Sequence, residues 1–203
     1  MTVSRLYLVR HGETDWNLKD RIQGHRPTSL NDTGRWQAEL LARFFAHCPL
    51  AAVWSSDLPR ALETAERIAA PHGLAVKATV ALRERDLAPF EGMTGDEVSA
   101  TLAINDLTTW YDVPGVEKDE AMLARLLPVL EAARETDGEV ALVTHGGVQK
   151  TLLYHILGIP AATRRAFALG NGLIIALLPD EKGWRVEGIH GLALVERFLR
   201  INS

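Results

Sequence analysis

A single cysteine, Cys48, stands in 203 residues. That excludes an internal disulfide and any thiolate metal cluster. No apolar run approaches the ~20 residues that a membrane span needs, and residues 1–5 lead into the first strand pattern without a secretory signal. Basic residues are not in excess: 22 Lys and Arg against 26 Asp and Glu leave a net charge of −4, which argues against a general nucleic-acid binder. There is no HExxH or other ligand cluster for a metal hydrolase, and no Gly-x-Ser-x-Gly for a serine esterase. Repeats, low-complexity tracts and linkers are also missing. These absences predict one soluble, cytoplasmic domain over residues 1–203, long enough to bury its own core. They predict no nucleic-acid or membrane partner and leave a homodimer open.

What is present is organised around Leu6-Tyr7-Leu8-Val9-Arg10-His11-Gly12-Glu13-Thr14. The apolar run 6–9 reads as a buried strand, although so short a run would also suit one turn of buried helix. Arg10 and His11 cannot sit side by side in its middle, because a buried charge needs a partner. They belong at its C-terminal lip, where Gly12 lets the backbone turn or approach a ligand. Val140-Ala141-Leu142-Val143-Thr144, followed by His145-Gly146-Gly147, repeats the layout.

Residues 15–32 read as a polar loop. Residues 33–47 carry Trp36, Leu40, Leu41, Phe44 and Phe45 at helical spacing, with Asn31, Asp32 or Thr33 as cap. A short strand at 51–54 leads to caps at 55–57 and a helix over 58–70 with Pro59 in its first turn. Arg60 then opposes the helix dipole, a poor place for a cation unless an anion is near. Residues 74–80 suit a strand, 94–117 are irregular or weakly helical, 119–136 form an amphipathic helix, and 148–157 form a helix stopped by Gly158. Residues 172–178 and 184–190 read as paired strands across 179–183, and 192–201 as a helix or an edge strand. Strands alternating with helices predict an α/β fold: a three-layer sandwich with a mainly parallel central sheet flanked by helices. Ligands bind beyond the carboxyl ends of such strands. Arg10, His11 and His145 fall there, and Arg60 could join them around an anion.

Each signal also has an ordinary explanation. A strand-end histidine is more often structural than catalytic, and Arg60 could be a solvated helix residue. Glu84, between Arg83 and Arg85, could belong to a surface ion pair of little energetic weight. The acidic run 112–120 reads as a solvated face. Only the conjunction points further.

That conjunction resembles the histidine phosphatase superfamily, also called the phosphoglycerate mutase-like family. Five ordered blocks carry the likeness: residues 8–17 with Arg10-His11-Gly12-Glu13-Thr14, then Gln23-Gly24 through Asn31-Asp32-Thr33-Gly34, then Ser55-Ser56-Asp57-Leu58-Pro59-Arg60, then Leu82-Arg83-Glu84 with Phe90-Glu91-Gly92, then Thr144-His145-Gly146-Gly147. It runs from about residue 5 to 178. The resemblance implies a phosphoacceptor at His11, a phosphate pocket of Arg10, Arg60 and His145, and a general acid at Glu84. It implies substrate-lining positions at Asn17, Gln23, Gly24 and Gly146, and a cover segment at about 86–120. Ala88 and Phe90 stand where Gly and Trp are usual, and Pro27 and Ser29 replace a common Asp and Pro. The usual ending near the last strand is absent, so no role passes to His190.

The chemistry such residues would perform needs no cofactor and no metal. A neutral imidazole attacks phosphorus, and water hydrolyses the phosphohistidine. Arginine forks clamp the equatorial oxygens in place of Mg²⁺, and Glu84 protonates the leaving alkoxide. Residues 85–144 hold 13 Asp and Glu against only Arg85, Lys118, Arg125 and Arg134. Such a cover repels a second phosphate, so the expectation is a phosphomonoesterase acting on a small phosphate ester. A cofactor-dependent mutase and a non-catalytic phospho-ligand binding protein are the alternatives.

Overall fold

Period-two alternation along the first strand sets the architecture. In the computed structural model, which describes residues 3–102, 113–160, 169–181 and 183–201, Val3–Arg10 forms β1. Leu6 and Leu8 enter one apolar cluster, and Tyr7 and Val9 enter another on the opposite face. The further elements are α1 (Asp15–Leu18), α2 (Asp32–Phe45), β2 (Leu50–Ser56), α3 (Pro59–Ala69), β3 (Val76–Thr79), α4 (Gly95–Leu102), α5 (Asp119–Arg134), β4 (Gly138–Thr144), α6 (Gly146–Leu157), β5 (Ile174–Asp180), β6 (Gly183–His190) and α7 (Leu192–Ile201).

The six strands lie in the order β3-β2-β4-β1-β5-β6. The pairs β1–β4, β2–β4 and β2–β3 are parallel, while β5 runs antiparallel to both its neighbours. One face is covered by α5 and α6 through Met122, Leu126, Leu130, Val148 and Leu152. The other is covered by α2, α3 and α7 through Leu41, Phe45, Ala65, Ile68 and Val195. This is the expected sandwich. Truncating a core leucine such as Leu142 to Ala removes contacts worth about 2–5 kcal/mol.

The chain leaves β1 toward α2 on one face and leaves β4 toward α6 on the other. Adjacent parallel strands whose connections part to opposite faces make a topological switch point, where a crevice opens. Here it lies at the carboxyl ends of β1 and β4, the two strands that end in His-Gly.

Local differences from the sequence reading have simple causes. The 15–32 stretch opens with a helical turn, α1, because Thr14 and Asn17 form a reciprocal capping box. Asn31 wins the cap of α2 by accepting from the Gly34 N–H. β3 is shorter than expected, since Thr79 accepts from the Ala81 N–H and starts a 3₁₀ turn over Val80–Leu82. The β5–β6 ladder extends to Asp180 and Gly183, so the connecting turn is tighter. The 192–201 stretch is a helix. Within the irregular 94–117 region α4 forms, and residues 103–112 lie outside the described residues. Phe90, Val98 and Val116 make a third, small apolar cluster within residues 86–120, with Ile22, Leu87 and Met93 packed against it. Among the described residues no helix is long and apolar enough to cross a membrane.

Candidate active site

Arg10 pairs with Thr144 in the β1–β4 register, and the next residue on each strand is a histidine. The His11 N–H donates to the Thr144 carbonyl at 3.0 Å. The two rings lie 5.1 Å apart, edge to face, and both are buried.

His11 Nδ1 lies 2.6 Å from the carbonyl of Gly12. A carbonyl can only accept, so Nδ1 carries the hydrogen and Nε2 keeps its lone pair. Arg60 Nε donates toward that same Nε2 at 3.3 Å. Burial, then the charges of Arg60 and Arg10, hold His11 well below the ordinary imidazole range, against a small opposing contribution from the Gly12 carbonyl. The ring is therefore neutral, with its lone pair at Nε2. The loop after it is fixed by backbone contact: a Cβ on Gly12 would collide with the Gly34 carbonyl, and one on Gly34 with the Glu13 carbonyl.

Arg60 is fully buried in the first turn of α3. Its guanidinium donates to the carbonyls of Gly24 at 2.9 Å and Arg26 at 2.8 Å and to the Thr28 hydroxyl at 3.2 Å. Arg10 donates to the Leu169 carbonyl, its Nε is buried without a partner among the described residues, and its guanidinium lies over Gly146, where an added Cβ would stand 3.3 Å away. Among the described residues neither cation forms an ion pair. Burial accordingly lowers the pKa of both, Arg60 to about 10. His145 caps α6 with its backbone, and both its ring nitrogens are buried without partners among the described residues. Burial, then Arg60, hold it well below its usual range, so it is neutral here and can offer one N–H.

Among the described residues Glu84 forms no surface ion pair. Arg83 turns to Asp57 and Arg85 to Asp119. The Glu84 carboxylate instead accepts from the N–H groups of Gly147 at 3.0 Å and Arg85 at 2.8 Å. A Cβ on Gly147 would push the Glu84 carboxylate aside, because Oε1 occupies that space. The five residues expected to act together thus meet at one crevice: the fully buried Arg60 and the half-buried Arg10, neither in an ion pair among the described residues, two neutral imidazoles and the Glu84 carboxyl group, whose charge acts on both arginines. It is shaped for an oxyanion beside a nucleophilic nitrogen.

The model of the histidine phosphatase superfamily (branch 1) matches residues 6–190. The chain belongs to that family. It is 36% identical over 194 residues to phosphoglycerate mutase-like protein 4 of Arabidopsis thaliana, covering 91% of this chain and 84% of that one. It is 33% identical over 186 residues to a glucosyl-3-phosphoglycerate phosphatase of Mycobacterium tuberculosis, covering 84% and 83%. The structure of Bacillus stearothermophilus YhfR superposes with a TM-score of 0.82 at 30% identity, covering 90% and 95%. The protein is an enzyme, a phosphatase of the histidine phosphatase superfamily.

The remaining positions suggested by the family likeness divide into two kinds. Asn17 faces the histidine loop: its Oδ1 accepts from Thr14 and from Asn171 Nδ2, which also donates to the carbonyls of His11 and Gly12. Gln23, Gly24 and Gly146 stand behind the arginines. Gly24 supplies a carbonyl to Arg60 from a left-handed turn (φ 48°), Gln23 accepts from the Thr28 hydroxyl, and Gly146 makes room for Arg10. Asn171 escaped sequence reasoning, although its setting in Gly170-Asn171-Gly172 marks a turn. So did Thr64, whose hydroxyl accepts from the Gly12 N–H, and His25, whose Nε2 bonds the Glu84 carbonyl at 2.8 Å. Among the described residues no group of three or more His, Cys, Asp or Glu side chains is arranged to hold a metal ion.

Proposed function

We propose that the protein is a metal-independent phosphomonoesterase that hydrolyses a small alkyl phosphate ester through a phosphohistidine on His11. One observation carries this reading: the Gly12 carbonyl takes the hydrogen of Nδ1 and leaves the Nε2 lone pair beside the Arg60 guanidinium. In the first step Nε2 attacks phosphorus, the bond from phosphorus to the ester oxygen breaks, and Glu84, which enters this step as the carboxylic acid and leaves it as the carboxylate, gives its proton to the departing alkoxide. Arg10 and Arg60 present the guanidinium N–H groups their other contacts leave over to the equatorial oxygens, and neutral His145 supplies one N–H. In the second step the Glu84 carboxylate takes a proton from water. The water oxygen bonds phosphorus, and the bond from Nε2 to phosphorus breaks, restoring neutral His11 and releasing phosphate.

A phosphatase fits better than a mutase because a mutase must seat a second phosphate. The cover offers little for one: Arg85, Arg125 and Arg134 are engaged with Asp119, Glu117 and the Asp180 carbonyl. The test is a phosphate-release screen with EDTA present, over sugar phosphates, phosphoserine, phosphoglycerates and glucosyl-3-phosphoglycerate. Turnover should stay within about twofold of the untreated rate, and a rapid quench should trap an acid-labile, base-stable phosphoenzyme that His11→Ala loses. Label persisting in His11→Ala would move the nucleophile elsewhere. Phosphoryl shuffling faster than release would make the protein a mutase, and no release from any ester would leave a binding protein.

A further inference from the structure

The segment carrying Glu84 has no strand or α-helix to hold it. It leaves the 3₁₀ turn Val80–Leu82 and runs as irregular backbone, yet its four carbonyls from Ala81 to Glu84 are all taken by side chains. Thr144 binds that of Leu82 at 2.8 Å. The other three converge on one residue of α5, Arg125: Nη1 donates to Ala81 at 2.7 Å and to Arg83 at 2.8 Å, and Nη2 donates at 3.1 Å to Glu84, whose carbonyl His25 Nε2 also bonds at 2.8 Å. The remaining donors go to one carboxylate, Nε to Glu117 Oε1 at 2.7 Å and Nη2 to Glu117 Oε2 at 2.8 Å. A guanidinium has five N–H donors in a rigid plane, and all five are used. Glu117 closes the bracket, because its Oε2 also accepts from the Asp86 N–H and its own N–H donates to the Asp86 carbonyl. Burial of Glu117 opposes its charge, but Arg125 outweighs this and lowers its pKa.

We infer that Arg125, with Glu117 behind it, is a positioning residue for Glu84. It takes the place of a ladder of backbone hydrogen bonds and sets where the Glu84 carboxylate meets the start of α6. A lysine would keep the charge but has three donors and no fork, so it cannot hold three carbonyls and a carboxylate in one plane. The inference rests on Glu84 being the acid for its catalytic consequence, but not for its structural one.

Two measurements on the full-length protein separate these. The first is amide hydrogen exchange at Gly147 and Arg85, whose N–H groups the Glu84 carboxylate accepts. In Arg125→Gln and Arg125→Lys both amides should exchange about tenfold faster or more, while amides of β1 and β4 keep their protection. Unchanged protection at Gly147 and Arg85 would overturn the inference. The second is single-turnover phosphorylation with an alkyl phosphate and with p-nitrophenyl phosphate, whose leaving group needs no proton. Glu84→Gln should slow the alkyl substrate by about 10²–10⁴ and the aryl substrate far less. Arg125→Gln should show the same selectivity on a smaller scale, about 10–10² on the alkyl ester, as a displacement near 1 Å would cause. Arg125→Lys should recover only part of it. Selective loss in Glu84→Gln with equal losses on both substrates in Arg125→Gln would overturn the inference and leave Arg125 a merely stabilising residue. Lost protection at both amides, with Glu84→Gln unselective, would keep the positioning role and remove the acid assignment.

Discussion

Arg5 and Arg10 stand on the same strand, near opposite ends of β1, and are treated oppositely. Arg5 donates to Glu187 and to Glu139, and the Tyr7 hydroxyl donates to the other oxygen of Glu139 at 2.8 Å. The hydrogen bonds to Glu187 raise the Arg5 pKa, and burial, with Cys48 and Glu139 nearby, raises that of Tyr7. Arg10 has a carbonyl for a partner, a buried Nε with none, and a lowered pKa. At one end of the sheet charge is cancelled within the fold. At the other it is left for something else to cancel. Ion pairs that close on themselves serve the folded state, while on the proposed mechanism a cation that forms no ion pair among the described residues, with only the Glu84 charge nearby, offsets in advance the desolvation an incoming phosphoryl group would otherwise meet.

The sharpest way to break this contrast is Arg10→Met. Phosphoryl transfer should fall about 10²–10³-fold, the range seen on losing one preorganised donor, for alkyl and aryl esters alike. Thermal unfolding should show no loss of stability, since a cation without a counter-ion is gone. A drop in melting temperature with activity retained would show Arg10 to be structural.

The second test is pH. His11 and His145 are held neutral by burial, below the 6.5 of a free imidazole. Below that pH the unfolded chain binds protons that the folded chain does not. Their contribution is therefore full above pH 6.5 and is lost as pH falls, at about 1.4 kcal/mol per pH unit for each histidine. The paired carboxylates Glu117, Glu187 and Asp57 have pKa values lowered from 4.5, 4.5 and 3.8, so they add to the loss only at lower pH. Denaturant unfolding between pH 6.5 and 5 should show the histidine slope, and His145→Asn should roughly halve it. Flat stability across that interval would contradict the neutral pair.

The smallest effect is expected at the other end of the strand. Arg5→Met leaves Glu139 with Tyr7 alone and should cost about 1–3 kcal/mol, less than a fully buried pair because Arg5 is a third exposed. Turnover should stay within about twofold. A larger effect on turnover than on stability would erase the distinction between the two ends.

The lip of β1 was legible in sequence because its residues are incongruous: Arg10 and His11 end an apolar run, His145 does the same, and Arg60 opposes a helix dipole. Strand and helix periodicity placed the sandwich, missing mainly the single turn α1 and the 3₁₀ turn after β3. What stayed hidden was held by long-range side-chain contacts that no local pattern encodes. Arg125 looks like any cation on an amphipathic helix, and Glu117 like one more charge in the acidic run 112–120, read there as a solvated face. Only the fold brings both to the carbonyls before Glu84. His145 was the opposite case: its place was legible but its charge was not, because burial beside two arginines is a property of the assembled crevice.

The small apolar cluster of Phe90, Val98 and Val116 shares no residue with the clusters on either face of the sheet. Substitutions inside it repack a few side chains without disturbing the strands that carry the two histidines. Change within this small cluster is therefore separable from change in the sheet that carries the two histidines. If the proposed function holds, a lineage can vary that cluster, trying new alcohol groups against an unaltered pair of histidines, and each trial risks only the modest stability of a few side chains.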